Sequence, residues 1–343
     1  MSFSRLTPED LVISADAVTA AMWSNGSPTL NTFFTSSTQL ASSAGSYYLD
    51  VYNLITSNTA SEVQFSIAYG NLLGSGSVLY NPLITGNSPT RTIYGQYRNL
   101  IIGDENTNFS FNGVESRDIF AISIERSRYK EKILPGVFTL KLSGSQTITL
   151  TDNSLDTTTI SYNDAGRVYQ LVSGSNGRAT TTALFPGITA GYTPSGSYGW
   201  FLPDVGLIIL NPRALALPAV SGGIALAPDE TSNSNGDNHS KLFRAISGST
   251  AASFILNSEE TLTSDYVFVR VKNSEYNYTA NPSFISGSAG EVLYSSFVNS
   301  PQTYITTVGF YNDNNDLLAV AKLSRPLLKD FTKEALIRCK LDF

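Results

Sequence analysis

Hydrophobic and polar positions alternate with period two along most of this chain, the pattern of strands with one covered face. Aromatic and β-branched residues carry it at 47–55, then at Val63, Phe65, Ile67 and Tyr69. The same signal predicts strands over 93–102, 119–124, 137–142, 147–151, 158–162 and 168–172, and again over 200–202 and 205–210. Asn163-Asp164-Ala165-Gly166 has the composition of a hairpin turn. Toward the C-terminus, strands are predicted over 266–272, 290–297, 304–311, 317–323 and 336–343, with Asn312 to Asp316 as a polar hairpin loop.

Helical signals are few. Thr7-Pro8-Glu9-Asp10 offers a capping Thr, a Pro at the first helical position and acids for the helix dipole. Leu11, Val12, Ala15, Val18, Ala21 and Met22 follow at roughly helical spacing, which predicts one short N-terminal helix ended by Asn25-Gly26-Ser27-Pro28. A short helical or irregular piece is expected near 242–246. Gly74 and Gly76 punctuate a loop, 104–113 reads as a polar turn, and 173–199 as a long exposed loop. Residues 218–240 read as a linker or mobile loop. The expectation is a mainly β protein: an N-terminal helix or arm over 1–30, a mixed-β main domain over 31–217, that linker, and a C-terminal β subdomain over 241–343. A faint echo of 159–168 at 309–318 is of a kind that hairpin chemistry alone produces.

Composition narrows the function classes. The 343 residues are 41% hydrophobic, enough for a core, yet only 15% charged. Ser, Thr and Asn supply roughly three residues in ten, so the surface is coated with hydroxyls and amides. One His and one Cys cannot build a four-ligand structural zinc site or an internal disulfide. A net charge of -6 and a pI near 4.9 argue against wrapping nucleic acid. No apolar run approaches a membrane span, and the start lacks the basic and apolar regions of a signal peptide, which predicts a chain without an export signal of its own.

Candidate chemistry is thin. His239, the base any Ser-His-Asp or Cys-His mechanism would need, sits among Asn, Ser, Gly and Asp residues that predict a solvated loop. Cys339 lies between Arg338 and Lys340, which could lower its pKa, although a packed strand thiol is the simpler expectation. Residues 233–237 lack the terminal acid and flanking helices of an EF-hand. Gly74-Ser75-Gly76 lacks the third glycine of a nucleotide fingerprint, and Ser127-Arg128-Tyr129-Lys130 lacks the companion motifs of Ser-x-x-Lys enzymes. Asn277-Tyr278-Thr279 is a glycosylation sequon only in a secreted eukaryotic chain. The carboxylate pairs Asp104-Glu105, Asp229-Glu230 and Glu259-Glu260 could serve a glycosidase but stand in turn-like or linker contexts. The expectation is a non-enzyme with no catalytic residues, no metal and no cofactor.

Two basic groups stand out: Arg126, Arg128, Lys130 and Lys132, and the C-terminal set Lys322, Arg325, Lys329, Lys333, Arg338 and Lys340. Each fits either a solvated face with local ion pairs or an interface to an acidic neighbour.

The C-terminal block carries a resemblance. Residues 304–313 (YITTVGFYND), 316–326 (DLLAVAKLSRP) and the ending Arg338-Cys339-Lys340-Leu341-Asp342-Phe343 resemble virion structural proteins of contractile-tailed phages, cyanophage and marine myoviruses above all. The strand-turn-strand piece is similar to one in tail-fibre and baseplate attachment proteins. Residues 93–104, 118–126, 134–142 and 272–282 resemble the same proteins, and the first eighty or so carry no likeness. Cys339 occupies a strand position where Val is the family's pattern.

The resemblance implies a tail-associated assembly component at the baseplate or a fibre attachment, or else a neck or capsid-decoration protein. It implies a virion location after assembly in the host cytoplasm, other virion proteins as partners and a homo-oligomer, with no nucleic acid and no membrane. A host-glycan receptor-binding module competes through Tyr276 and Tyr278. The interface residues expected are Tyr311 and Asn312 at the hairpin, then Lys322, Arg325 and Lys329.

Overall fold

A computed structural model describes residues 4–35, 48–53, 62–74, 90–183, 186–229, 237–248, 253–278, 282–286 and 289–342. The protein is mainly β, with four short helices among the described residues. It divides into two compact units, Val18–Glu260 and a smaller one made of Met1–Ala17 with Thr261–Phe343. The expected linker at 218–240 therefore falls inside the larger unit, and the N-terminal residues group with the C-terminal block.

The N-terminal helix is not formed. Its start signal works: the Thr7 N–H and hydroxyl both donate to Asp10 Oδ2, at 2.9 and 2.8 Å, and close one 3-10 turn over Pro8–Asp10. The chain then leaves as strand β1, Leu11–Ala21, because Val12, Ile13, Val18 and Thr19 are stiff at χ1 and prefer extended backbone.

In the larger unit β2 (Thr29–Leu30), β3 (Phe34–Thr35), β4 (Tyr48–Asn53) and β5 (Glu62–Asn71) precede helix α1 (Thr90–Ile102). A small hairpin, β6 (Phe109–Phe111) with β7 (Val114–Ser116), leads to β8 (Asp118–Ile124) and the short β9 (Lys132–Ile133). Then come β10 (Thr139–Ser143), β11 (Thr147–Asp152), β12 (Ser161–Asn163), β13 (Gly166–Ser175) and β14 (Arg178–Ala179). The unit continues through β15 (Gly199–Leu202), β16 (Leu207–Leu210), α2 (Pro212–Ala216), α3 (Asp237–Ser247) and β17 (Phe254–Ile255).

These strands form one antiparallel sheet, ordered β2-β17-β10-β11-β13-β15-β16-β8-β5-β4-β3, with β12 and β14 paired to β13. The expected turn is present, with Asn163 opposite Gly166. Central strands are covered on both faces. Phe120, Ile122, Ile208 and Leu210 point to one cluster, whereas Ile119, Ala121, Leu207 and Ile209 point to the other. The sheet curls: Phe65 of β5 and Phe254 of β17, far apart in strand order, meet with ring centroids 5.3 Å apart. Trp23, Phe138 and the α3 residues Leu242 and Ile246 fill the same side.

Helix α1 stands where 93–102 predicts a strand. Ile93, Tyr94 and Ile101 are buried, a helical spacing, and Tyr94 donates to Ser116 O at 2.9 Å while accepting from Phe109 N–H. The turn expected at 104–113 contains β6 and the start of the hairpin. The loop expected to be exposed at 173–199 includes β14 and the buried Thr193, Ser197 and Tyr198, so it lines the core instead.

The smaller unit contains β1 and the C-terminal part of β18 (Asn257–Val271), whose residues 264–271 pair with the last strand. Between them lie β19 (Ile285–Ser286), β20 (Glu291–Val292), helix α4 (Ser295–Asn299), β21 (Thr303–Tyr311), β22 (Leu317–Lys329) and finally β23 (Ala335–Asp342). The strand expected at 290–297 is thus a two-residue strand followed by a short helix. β21 and β22 form the predicted hairpin as a two-stranded sheet of their own, and β18 lies between β1 and β23.

Candidate functional site

The predicted interface residues lie on the β21–β22 hairpin. Asn312 organises its tip: Oδ1 accepts from Asn314 N–H at 3.0 Å and Asp316 N–H at 2.8 Å, and Nδ2 donates to Asp316 Oδ2 at 3.0 Å. Asn315 adopts φ 65°, the left-handed conformation that Asn tolerates. Tyr311 is exposed, and its ring lies over the Gly309 backbone on the face it shares with Leu317. Lys322 and Arg325 are exposed, and among the described residues neither has an ion-pair partner.

Lys329 is different. It is fully buried, and its ammonium donates to Asn273 O, Asn277 Oδ1 and Asp330 O at 2.9, 2.8 and 2.9 Å. All three protons are spent inside the fold, so this lysine ties the 273–277 turn to the hairpin base and offers no contact to a partner. Charge alone marks it as a surface residue in sequence; only the carbonyl cage reveals its role. The same cage engages Asn277, whose burial leaves no access for a glycan on the sequon.

The other basic residues are locally neutralised. Arg128 pairs with Glu62 at 2.7 Å, Lys130 with Glu260 at 2.8 Å, and Lys132 lies 3.8 Å from Glu131 and 4.0 Å from Glu259. Arg126 stacks on Tyr129, 4.7 Å from its ring centre. Glu259 and Glu260 therefore belong to β18 facing bases, not to a turn. Lys333 and Lys340 pair with Asp330 and Asp342, and Arg338 lies over Tyr266.

His239 corrects the solvated-loop expectation. It sits in α3 on the face carrying Leu242 and Ile246, almost fully buried, and Nε2 has no hydrogen-bond partner among the described residues. Burial lowers its pKa to about 4, so the ring is neutral at neutral pH. Cys339 packs inward from β23 opposite Val267, and burial raises its pKa; Arg338 and Lys340 point to the other face. Asp104 caps an exposed turn with Asn106 and Thr107. Of the Asp229-Glu230 pair, Glu230 lies outside the described residues, as does nearly all of 233–237. No cluster of three or more His, Cys, Asp or Glu among the described residues could hold a metal, and no helix there is long and apolar enough to cross a membrane.

A cavity of about 220 Å³ opens in the smaller unit, walled by Tyr278, Phe284, Val292, Phe297, Val298 and Phe331. Phe284 packs against Tyr294 and Phe297, each with centroids 5.6 Å away. The surroundings are unusually apolar. Among described residues of this unit, only Val267, Val271, Ala335 and Cys339 are buried hydrophobics, whereas Leu11, Val12, Ile13, Tyr278, Tyr294, Tyr304, Leu318 and Val320 are exposed. Both apolar clusters lie in the larger unit.

No protein family, no curated protein and no solved structure matches this chain.

Proposed function

We propose that this protein is a structural subunit of a contractile-tailed phage virion, tail-associated at the baseplate or a fibre attachment, that works through its interfaces and catalyses no reaction. The observation that supports this reading is the smaller unit's surplus of uncovered apolar strand. Isolated two-stranded hairpins are marginal in water, and β21–β22 is one whose exposed residues include Tyr304, Leu317, Leu318 and Val320. Such surface is stabilised when a neighbouring subunit covers it. The outer edges of β1 and β23 add unpaired N–H and C=O groups among the described residues, which suit strand addition. His239, buried and neutral, and Cys339, inert in a strand, fit a protein without a nucleophile or base to offer.

Cross-linking mass spectrometry of purified virions tests the reading. Links from the 303–329 hairpin to tail proteins are the expected result; a chain missing from intact particles overturns it. Neck or capsid neighbours would move the protein along the particle and leave the assembly role.

The aromatic cavity favours a second reading, a module that stacks a host sugar against Tyr278. Its walls provide sugar hydroxyls with few partners, because Asn277 already spends its amide on Asn273 and Lys329. Binding of isolated host polysaccharide, lost in Tyr278→Ala, would support that alternative.

A further inference from the structure

The outer edge of β22 is complementary to itself. Asp316 and Lys322 each stand three residues from Ala319, and Asp313 and Arg325 each stand six. Only Leu, Ala and Val separate the inner pair. A second strand of the same sequence, laid antiparallel with Ala319 opposite Ala319, sets Asp316 against Lys322 and brings Asp313, on the adjoining turn, to Arg325. The twofold axis repeats both pairs. A parallel copy would instead set acid against acid and base against base.

Three structural observations suit this pairing. Among the described residues β22 has β21 on one side and no strand on the other. Lys322 and Arg325 are exposed without an ion pair there, and the single contact of Asp313, with Arg5 at 3.3 Å, is solvent-exposed on both side chains and contributes little. Pro326, immediately after Arg325, cannot donate to a ladder, so the pairable edge ends where the charge pattern ends. Leu318 and Val320, 67% and 56% exposed, would face each other across the axis.

We propose that β22 joins the β22 of a second copy of this chain, antiparallel about a twofold axis at Ala319, to make a continuous four-stranded sheet. This names a partner for the assembly reading above and rests on that reading for its biological role.

The test uses the full chain at low salt, by sedimentation and by cysteine cross-linking. Ala319→Cys should give an oxidised covalent dimer, and Leu327→Cys, beyond the proline, should not; Cys339 is buried and stays silent. The double variant K322D/R325D should weaken the dimer more than ~10-fold, since like charges replace opposite ones in four cross-strand pairs. So should D313K/D316K, and mixing the two variants should restore dimers by matching their charges. An unchanged melting profile of the larger unit confirms that each variant folds. A chain that stays monomeric at all concentrations, or a dimer indifferent to both reversals, overturns the proposal. A tail protein in virions that shows no 319-to-319 link refutes this interface alone; a 319-linked dimer absent from virions refutes the assembly reading alone.

Discussion

His239 has lost its water without giving Nε2 a partner among the described residues, so protonation is what the fold resists. Its folded pKa, about 4, lies below the ordinary 6.5. The unfolded chain therefore binds a proton first, and stability falls as pH drops from about 7 toward 4. Between pH 7.5 and 5, above the range of ordinary carboxylates, the loss should be about 2 kcal/mol. Urea unfolding at the two pH values measures it, and His239→Leu should flatten the dependence. Lys329 makes the opposite demand. Its charge is satisfied by three oxygens, so Lys329→Met leaves Asn273 O, Asn277 Oδ1 and Asp330 O short of a donor. A cost of ~2–4 kcal/mol is expected, confined to the smaller unit. Hydrogen exchange of residues 272–278 and 327–330 should accelerate in that variant and remain unchanged around β8.

Elements succeed or fail in sequence according to whether period or composition carries them. The β21–β22 hairpin is legible because Tyr304 to Leu323 alternates cleanly and Asn312 to Asp316 is made of turn formers. Helix α1 is not, because Ile93, Tyr94, Tyr97 and Ile101 have strand composition at helical spacing. β1 shows the reverse: a real start signal at Thr7 precedes residues that prefer extended backbone. The linker reading of 218–240 took Gly and Ser for solvent exposure, whereas Ile224 is buried in the core. Of the interface candidates, Tyr311, Asn312, Lys322 and Arg325 fall together on one hairpin, and only the carbonyl cage removes Lys329. Helix α1 also depends on a missing side chain. A Cβ at Gly70 of β5 would stand 2.8 Å from Tyr94 N and 2.9 Å from its Cα, backbone atoms that cannot swing aside. Gly70→Ala should therefore displace α1 and cost ~1–3 kcal/mol, seen in urea unfolding followed by tryptophan fluorescence.

At the scale of the whole chain, burial is divided very unequally between the units. The larger unit owns both apolar clusters and needs no partner to stay folded. The smaller one keeps few buried hydrophobics and spreads its apolar residues over β1, the hairpin and the cavity rim. Backbone order costs ~1–2 kcal/mol per residue, and long strands that bury little offset that poorly. In dilute protein, amides of 303–311 and 317–329 should thus exchange orders of magnitude faster than those of β5, β8 and β16. Trypsin should cut after Lys322 while the larger unit resists. Raising the concentration, or incorporation into particles, should slow both processes at the hairpin and leave the larger unit unaffected. Equal protection of the two units in a dilute monomer would show the hairpin to be stable alone, and would remove the physical reason for giving it a neighbour.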